Sequence, residues 1–115
     1  MAAALLLRWK RHVFGEEAGA LQLFRDLQSY LERQRADGQL ESYELYLAEP
    51  HAGDMNRLVI MKGDLFRLEE IKQTEEWKDL MRRCEWLLEE FGVIGAIYGE
   101  EVRTETARFI RVTGS

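Results

Sequence analysis

The chain is poor in the residues that usually announce chemistry. It holds one cysteine, one proline and nine glycines in 115 residues, and its two histidines are His12 and His51. A single cysteine excludes an internal disulfide and fits a reducing compartment, so a cytoplasmic location is expected. Cys84, His12 and His51 form no zinc-ligand spacing, and acidic pairs such as Glu69-Glu70 and Glu89-Glu90 read as solvated helix faces, so no metal is expected. The glycines sit scattered at turns and match neither a phosphate loop nor a dinucleotide fingerprint. Neither histidine carries an axial-ligand signal for haem, and no cofactor is expected.

Clustered positive charge is also missing. Sixteen Lys and Arg stand against 21 Asp and Glu, a net charge of -5, and the basic residues are dispersed. Nucleic-acid binding rests on neutralising phosphates with clustered Lys and Arg, so no nucleic acid is expected as a partner. No apolar run approaches the roughly 18 residues of a membrane span, so no membrane is expected either. The apolar start, Met1 to Leu7, lacks the basic flank and apolar length of a signal peptide and reads as a first strand. The length is that of one domain and 46% of the residues are hydrophobic, which predicts one fold over 1–115 with a single core.

What is present is amphipathic pattern. Trp77, Leu80, Met81, Cys84, Leu87, Leu88 and Phe91 fall on one face at 3.6 residues per turn, a stripe wide enough to cover a sheet. Thr74 can cap that helix, Glu75 and Glu76 suit the positive end of its dipole, and Gly92 and Gly95 are expected to end it. Trp86 falls opposite the stripe and is expected to be outside the core.

In chain order, residues 5–13 read as a strand with Leu5, Leu7, Trp9, Arg11 and Val13 on one face and Leu6, Arg8, Lys10 and His12 on the other. After Gly15, a helix with Ala20, Phe24, Leu27 and Leu31 inward runs to Gly38. Residues 40–48 alternate as a half-buried strand, with Tyr43, Leu45 and Leu47 against Ser42, Glu44 and Tyr46. The segment 49–54 is a loop, and 56–62, centred on Leu-Val-Ile-Met, is a buried strand. Asp64 can cap a short helix over 65–71. Residues 93–98 form another strand, 99–101 a turn, and 103–115 an extended C-terminal arm, because Thr104, Thr106, Ile110 and Val112 favour a strand.

The order strand, helix, strand, strand, helix, strand predicts an α+β fold: the ferredoxin-like βαββαβ antiparallel sheet with helices on one face. Neither side of Leu58-Val59-Ile60-Met61 is polar, so the uncovered face is expected to meet a second sheet, most cheaply that of another copy in a homodimer.

Val13-Phe14-Gly15-Glu16-Glu17 before a helix bearing Phe24, the strand around Asn56 to Lys62, and Thr74-Glu75-Glu76-Trp77 opening the last helix carry a resemblance over nearly the whole chain. The chain resembles the dimeric α/β barrel superfamily, which includes antibiotic-biosynthesis-type monooxygenases, stress-responsive barrel proteins and muconolactone-isomerase-like enzymes. The resemblance implies two ferredoxin-like sheets closing into a barrel and a small-molecule ligand between sheet and helices. It brings no catalytic motif onto particular residues of this chain.

Candidate site residues are accordingly few. His12 shares a strand face with Arg8 and Lys10 and could hold an anion or act as a base; Tyr43, Tyr46 and Tyr98 could supply polar contacts. His12 and Tyr46 are the catalytic candidates, and Arg8, His12, Tyr43 and Tyr98 the ligand-binding ones. His51 reads as a loop histidine, and Cys84 as a small core hydrophobe. Two functions compete: a cofactor-independent monooxygenase or isomerase-like enzyme acting on an aromatic or polyketide-like substrate, and a non-catalytic dimeric ligand-sensing or interaction module. An enclosed pocket gathering His12 and the tyrosines would favour the first, and a filled core with no pocket and polar residues facing solvent the second.

Overall fold

The computed structural model describes residues 1–114. Its elements run β1 (Ala2–Trp9), β2 (Arg11–His12), α1 (Glu17–Ala36), β3 (Ser42–Leu47), β4 (Arg57–Asp64), α2 (Leu65–Lys72), α3 (Glu75–Leu87), β5 (Leu88–Glu89), β6 (Gly92–Ile97) and α4 (Glu100–Thr113). The main sheet has the order β3-β4-β1-β6, antiparallel throughout, and β2 and β5 form a two-stranded annex. The fold is the expected ferredoxin-like one. The sheet of one chain is open, with β3 and β6 as its edges.

Register assigns the two faces. Leu7 lies between Val59 and Val93, with Leu45 beyond Val59, and Leu5 lies between Met61 and Gly95. These positions face the helices, and Leu5, Leu7, Val59 and Met61 are buried. They meet Leu23, Leu27 and Leu31 of α1, Leu68 and Ile71 of α2, and Trp77, Leu80, Met81 and Cys84 of α3 in one core. The period-2 alternation of β1 and β4 and the 3.6-residue stripes of the helices thus interlock as the sequence predicts. Between helices, the Tyr30 and Trp77 rings lie 6.3 Å apart, and Arg33–Glu76 (2.9 Å) and Arg83–Asp26 (2.8 Å) tie α1 to α3 at the surface.

The caps follow from sequence. Asp64 Oδ2 accepts from the Phe66 amide at 3.1 Å, and Thr74 Oγ1 accepts from the Trp77 amide at 3.2 Å while donating to the Ile71 carbonyl at 2.7 Å. Trp86 is 76% exposed, opposite the buried stripe of α3.

Three expectations are corrected. First, the expected strand over 5–13 is broken at Lys10: β1 stops at Trp9, where the Asn56 amide donates to the Trp9 carbonyl at 3.0 Å, and Arg11 and His12 turn to pair with Glu89 and Leu88. Second, α3 ends at Leu87 rather than at Gly92, because Leu88 is already extended and its strand is held by β2; Leu88 is buried from that strand, which a helical stripe also accommodates. Glu90, at φ 56°, makes the following turn.

Third, residues 104–112 are helical, so the extended arm over 103–115 is replaced by α4; Ser115 lies outside the described residues. β-branched residues lower helix propensity by only about 0.5 kcal/mol each, and local features outweigh this. Gly99, at φ 64°, turns the chain. Glu100 and Glu101 sit at the positive end of the helix, Arg103 pairs with Glu100 at 2.6 Å and Arg108 with Glu105 at 3.9 Å, and Gly114 closes it in the left-handed conformation. An extended arm would also need a sheet edge to satisfy its backbone, which a helix does not.

Candidate functional site

Helix α1 packs along the start of β3, where Tyr43 donates to Glu32, and leaves the second half of that edge strand uncovered. There Leu45 and Leu47, on the helix-facing side of β3, are 51% and 66% exposed. Between them and α1 opens a groove of about 220 Å³ lined by Trp9, Phe24, Leu27, Leu45, Leu47 and Val59, with Gln28 and Arg57 as its long polar side chains. Trp9 and Phe24 stack at its base, with centroids 5.8 Å apart and planes 16° from parallel. Trp9 is fixed from β1 and is nearly buried, whereas Phe24 is half-buried, so the groove ends in an aromatic surface. Arg57 pairs with no carboxylate among the described residues. An apolar slot with a free guanidinium at its rim suits a flat apolar ring bearing an anionic group.

The sequence-predicted residues do not converge there. Arg8 lies on the open face of the sheet, beside Gly92, and its Nη1 donates to the Glu90 carbonyl at 2.5 Å. Lys10 pairs with Asp54 at 3.5 Å, and His12 Nε2 lies 3.7 Å from Glu17 Oε1 with its side chain 42% exposed. The expected anion-binding trio is therefore three separate contacts. Tyr43 faces the helices and donates to Glu32 Oε2 at 2.7 Å. That bond, followed by burial, pushes the Tyr43 phenol above its usual range. The Glu32 carboxyl is brought down to about 2 by hydrogen bonds from Arg35 and then Tyr43.

Tyr46 alone among the predicted residues lines the groove, although register places its side chain on the opposite face, where its hydroxyl donates to Glu44. Tyr98 lies near the far end of the sheet, its ring 5.3 Å from Lys62 Nζ and its hydroxyl 3.5 Å from Glu41 Oε2. His51 accepts from the Gly53 amide at 2.9 Å, a local loop contact. Cys84 is buried, and burial pushes its thiol up to about 12, as befits a core hydrophobe.

Among the described residues no charged side chain is buried, and no group of three or more His, Cys, Asp or Glu is placed to hold a metal ion. No helix among the described residues is long and apolar enough to cross a membrane. Apart from Tyr46, sequence reasoning gathered none of the groove residues into a site, and its polar members Gln28 and Arg57 were missed altogether. Their signal was faint: Gln28 is one polar residue beside the inward Leu27 in the middle of α1, and Arg57 opens β4 beside Leu58 of the open face.

The open face of the sheet is the second unoccupied surface. Across it run Glu44, Ile60, Leu6 and Ile94 in one row and Tyr46, Leu58, Arg8 and Gly92 in the next. Lys62 Nζ bonds Glu44 Oε1 at 3.2 Å beside these rows. The centre of the face is apolar, and Ile94 is 49% exposed.

No family model matches the chain, and no curated protein sequence matches it. Solved structures do match its fold. A DABB family protein with a ferredoxin-like fold from Mesorhizobium loti superposes with a TM-score of 0.68 at 12% identity, over 85% of this chain and 97% of that one. A dimeric ferredoxin-like protein of unknown function from Thermobifida fusca gives 0.65 at 12% identity, over 85% and 92%. An antibiotic biosynthesis monooxygenase gives 0.59 at 17% identity, over 86% and 99%. At such identities the likeness is one of fold, and it agrees with the resemblance that the sequence carries.

Proposed function

We propose that the protein is a homodimeric, non-catalytic small-molecule-binding module that takes a flat apolar ring with an anionic substituent into the groove between α1 and β3. The observation that carries this reading is the Trp9–Phe24 stack flooring an apolar slot with an unpaired Arg57 at its rim. The monooxygenase or isomerase reading needs an acid or base against the ligand. His12 lies outside the groove lining, the hydroxyls of Tyr43 and Tyr46 are engaged by glutamates, and no titratable side chain is buried in the slot.

The homodimer is supported by the apolar centre of the open face, Leu6, Leu58, Ile60 and Ile94, which a second sheet would cover, and by the description of a protein of the same fold as dimeric. Two such sheets facing each other would make the barrel that the resemblance implies. A reducing, cytoplasmic setting fits the lone buried thiol.

The test uses 1-hydroxy-2-naphthoate, which has both a ring and a carboxylate and is an oxidisable phenol. Calorimetry should show saturable binding, one per chain, and an oxygen electrode should show no consumption above the blank. Leu45→Arg should abolish the heat while leaving the far-ultraviolet circular dichroism unchanged. Oxygen uptake that disappears in His12→Ala would restore the enzyme reading.

A further inference from the structure

Among the described residues, helix α4 contributes no side chain to the core of its own chain. None of its residues is buried, and Val102, Phe109 and Ile110 are 43%, 64% and 50% exposed. At 100° per residue these three fall within one face, while Glu100, Arg103, Arg108 and Arg111 take the rest. The molecule measures 53 × 37 × 21 Å with a radius of gyration of 16.1 Å, against about 13 Å for a compact chain of this length. A helix that stands off and shows an apolar stripe has a docking surface without a dock.

The matching surface lies at the other edge of the sheet. α4 leaves from β6, and the groove with exposed Leu45 and Leu47 lies at β3, so the order β3-β4-β1-β6 separates them by the full sheet width. That width is about 14 Å between edge strands. Within one protomer the sheet itself intervenes. A twofold axis along the strands, midway between two facing sheets, carries the β3 edge of one protomer over the β6 edge of the other. α4 starts beside Ala3, whereas Leu45 and Leu47 lie level with Leu7 and Trp9, about 13 to 20 Å further along the strands; run back along them, α4, about 21 Å long, brings its second half to the partner's groove.

Area favours the same arrangement. The open sheet face is roughly 400 Å² in outline, about half of what each partner contributes to a standard interface. One face of α4 adds roughly 200 Å², and the groove mouth that it covers adds as much again. Sheet face, helix and groove mouth together reach the standard size.

We propose that α4 is an exchanged arm that lays Phe109 and Ile110 over the groove between α1 and β3 of a second copy of this chain, roofing the partner's ligand slot. The proposal rests on the homodimer reading and adds to it a contribution of each chain to the other's site. Both ends of the contact come from the same sequence, so it occurs twice and closes the dimer without leaving a free arm to propagate.

Sedimentation equilibrium and mixed-chain disulfide formation test it. Phe109→Asp should leave the far-ultraviolet circular dichroism unchanged and raise the dimer dissociation constant about 30-fold or more, the effect of removing a central anchor. Leu47→Cys chains mixed with Phe109→Cys chains and oxidised should give a covalent pair, and neither variant alone should. A wild-type dimer that Ile94→Asp dissociates, but that Phe109→Asp leaves at its original constant without any mixed disulfide, overturns the arm and keeps the sheet-face dimer. A wild-type chain that sediments as a monomer overturns both.

Discussion

Trp9 and Phe24 lie in offset contact, 5.8 Å between ring centroids and 16° between planes, one ring held by the sheet and the other by the helix that crosses it. Trp9 is nearly buried and so serves two purposes: it fills the core beneath α1 and floors the groove. Trp9→Ala should therefore cost about 3 to 5 kcal/mol, the range for a truncated core aromatic. Leu45→Ala, at the exposed groove wall, should cost less than about 1 kcal/mol. Urea melts of the two variants check the difference; equal losses would mean that Trp9 is not a core residue.

Trp77 and Trp86 lie on the same helix with opposite environments, 5% and 76% exposed. Trp77→Ala should again lose about 3 to 5 kcal/mol, and Trp86→Ala should stay within about 0.5 kcal/mol of the parent. Similar urea midpoints for the two variants would contradict the packing of α3 against the sheet.

How this helix was legible, and where it was not, has a physical basis. The stripe from Trp77 to Leu87 fixes which face is buried, because a 3.6-residue repeat in sequence becomes one line in space. Its end was not legible: Leu88 continues the apolar repeat, and only pairing of Leu88 with His12, distant in sequence, makes it extended. The same limit explains α4, where β-branched residues read as a strand, but a strand needs a neighbour and this segment has local ion pairs instead. The candidate site was less legible still. Arg8, Lys10 and His12 alternate on one side of a continuous strand, yet the bend at Lys10 separates them and each finds its own acceptor. The groove is made by what α1 does not cover, a property of helix placement that no single segment encodes.

Glu90 supplies a test of backbone strain. Its φ of 56° is unfavourable for a residue with a side chain, and its carbonyl is held by Arg8 at 2.5 Å. Glu90→Gly should keep the carbonyl contact and raise stability by up to about 1 kcal/mol. A lowered urea midpoint would show that the Glu90 side chain contributes more than its backbone costs.

The Glu32 carboxyl, at about 2 through its bonds from Arg35 and Tyr43, links stability to pH. Its folded value lies below the unfolded one, so its contribution is present above about pH 4.5 and is lost as pH falls through about 2. Glu32→Gln should melt below the parent at pH 6, and the gap should close on approaching pH 2. A gap that stays constant over that range would mean that the carboxylate is not the group responsible.

Cys84 is buried with its thiol pushed up to about 12, so a disulfide-exchange reagent at pH 8 should leave it unmodified in the native protein and react in urea. Native labelling within minutes would place Cys84 near the surface.

The location of ligand binding is the centre of the account, and a heteronuclear NMR titration with 1-hydroxy-2-naphthoate reads it directly. Saturating shifts should fall on the Trp9 indole, the methyls of Leu27, Leu45, Leu47 and Val59, and the Arg57 guanidinium, and Arg57→Gln should weaken binding about three- to tenfold. Shifts confined to Leu6, Ile60 and Ile94 on the open sheet face, or no saturable shifts at all, would contradict it.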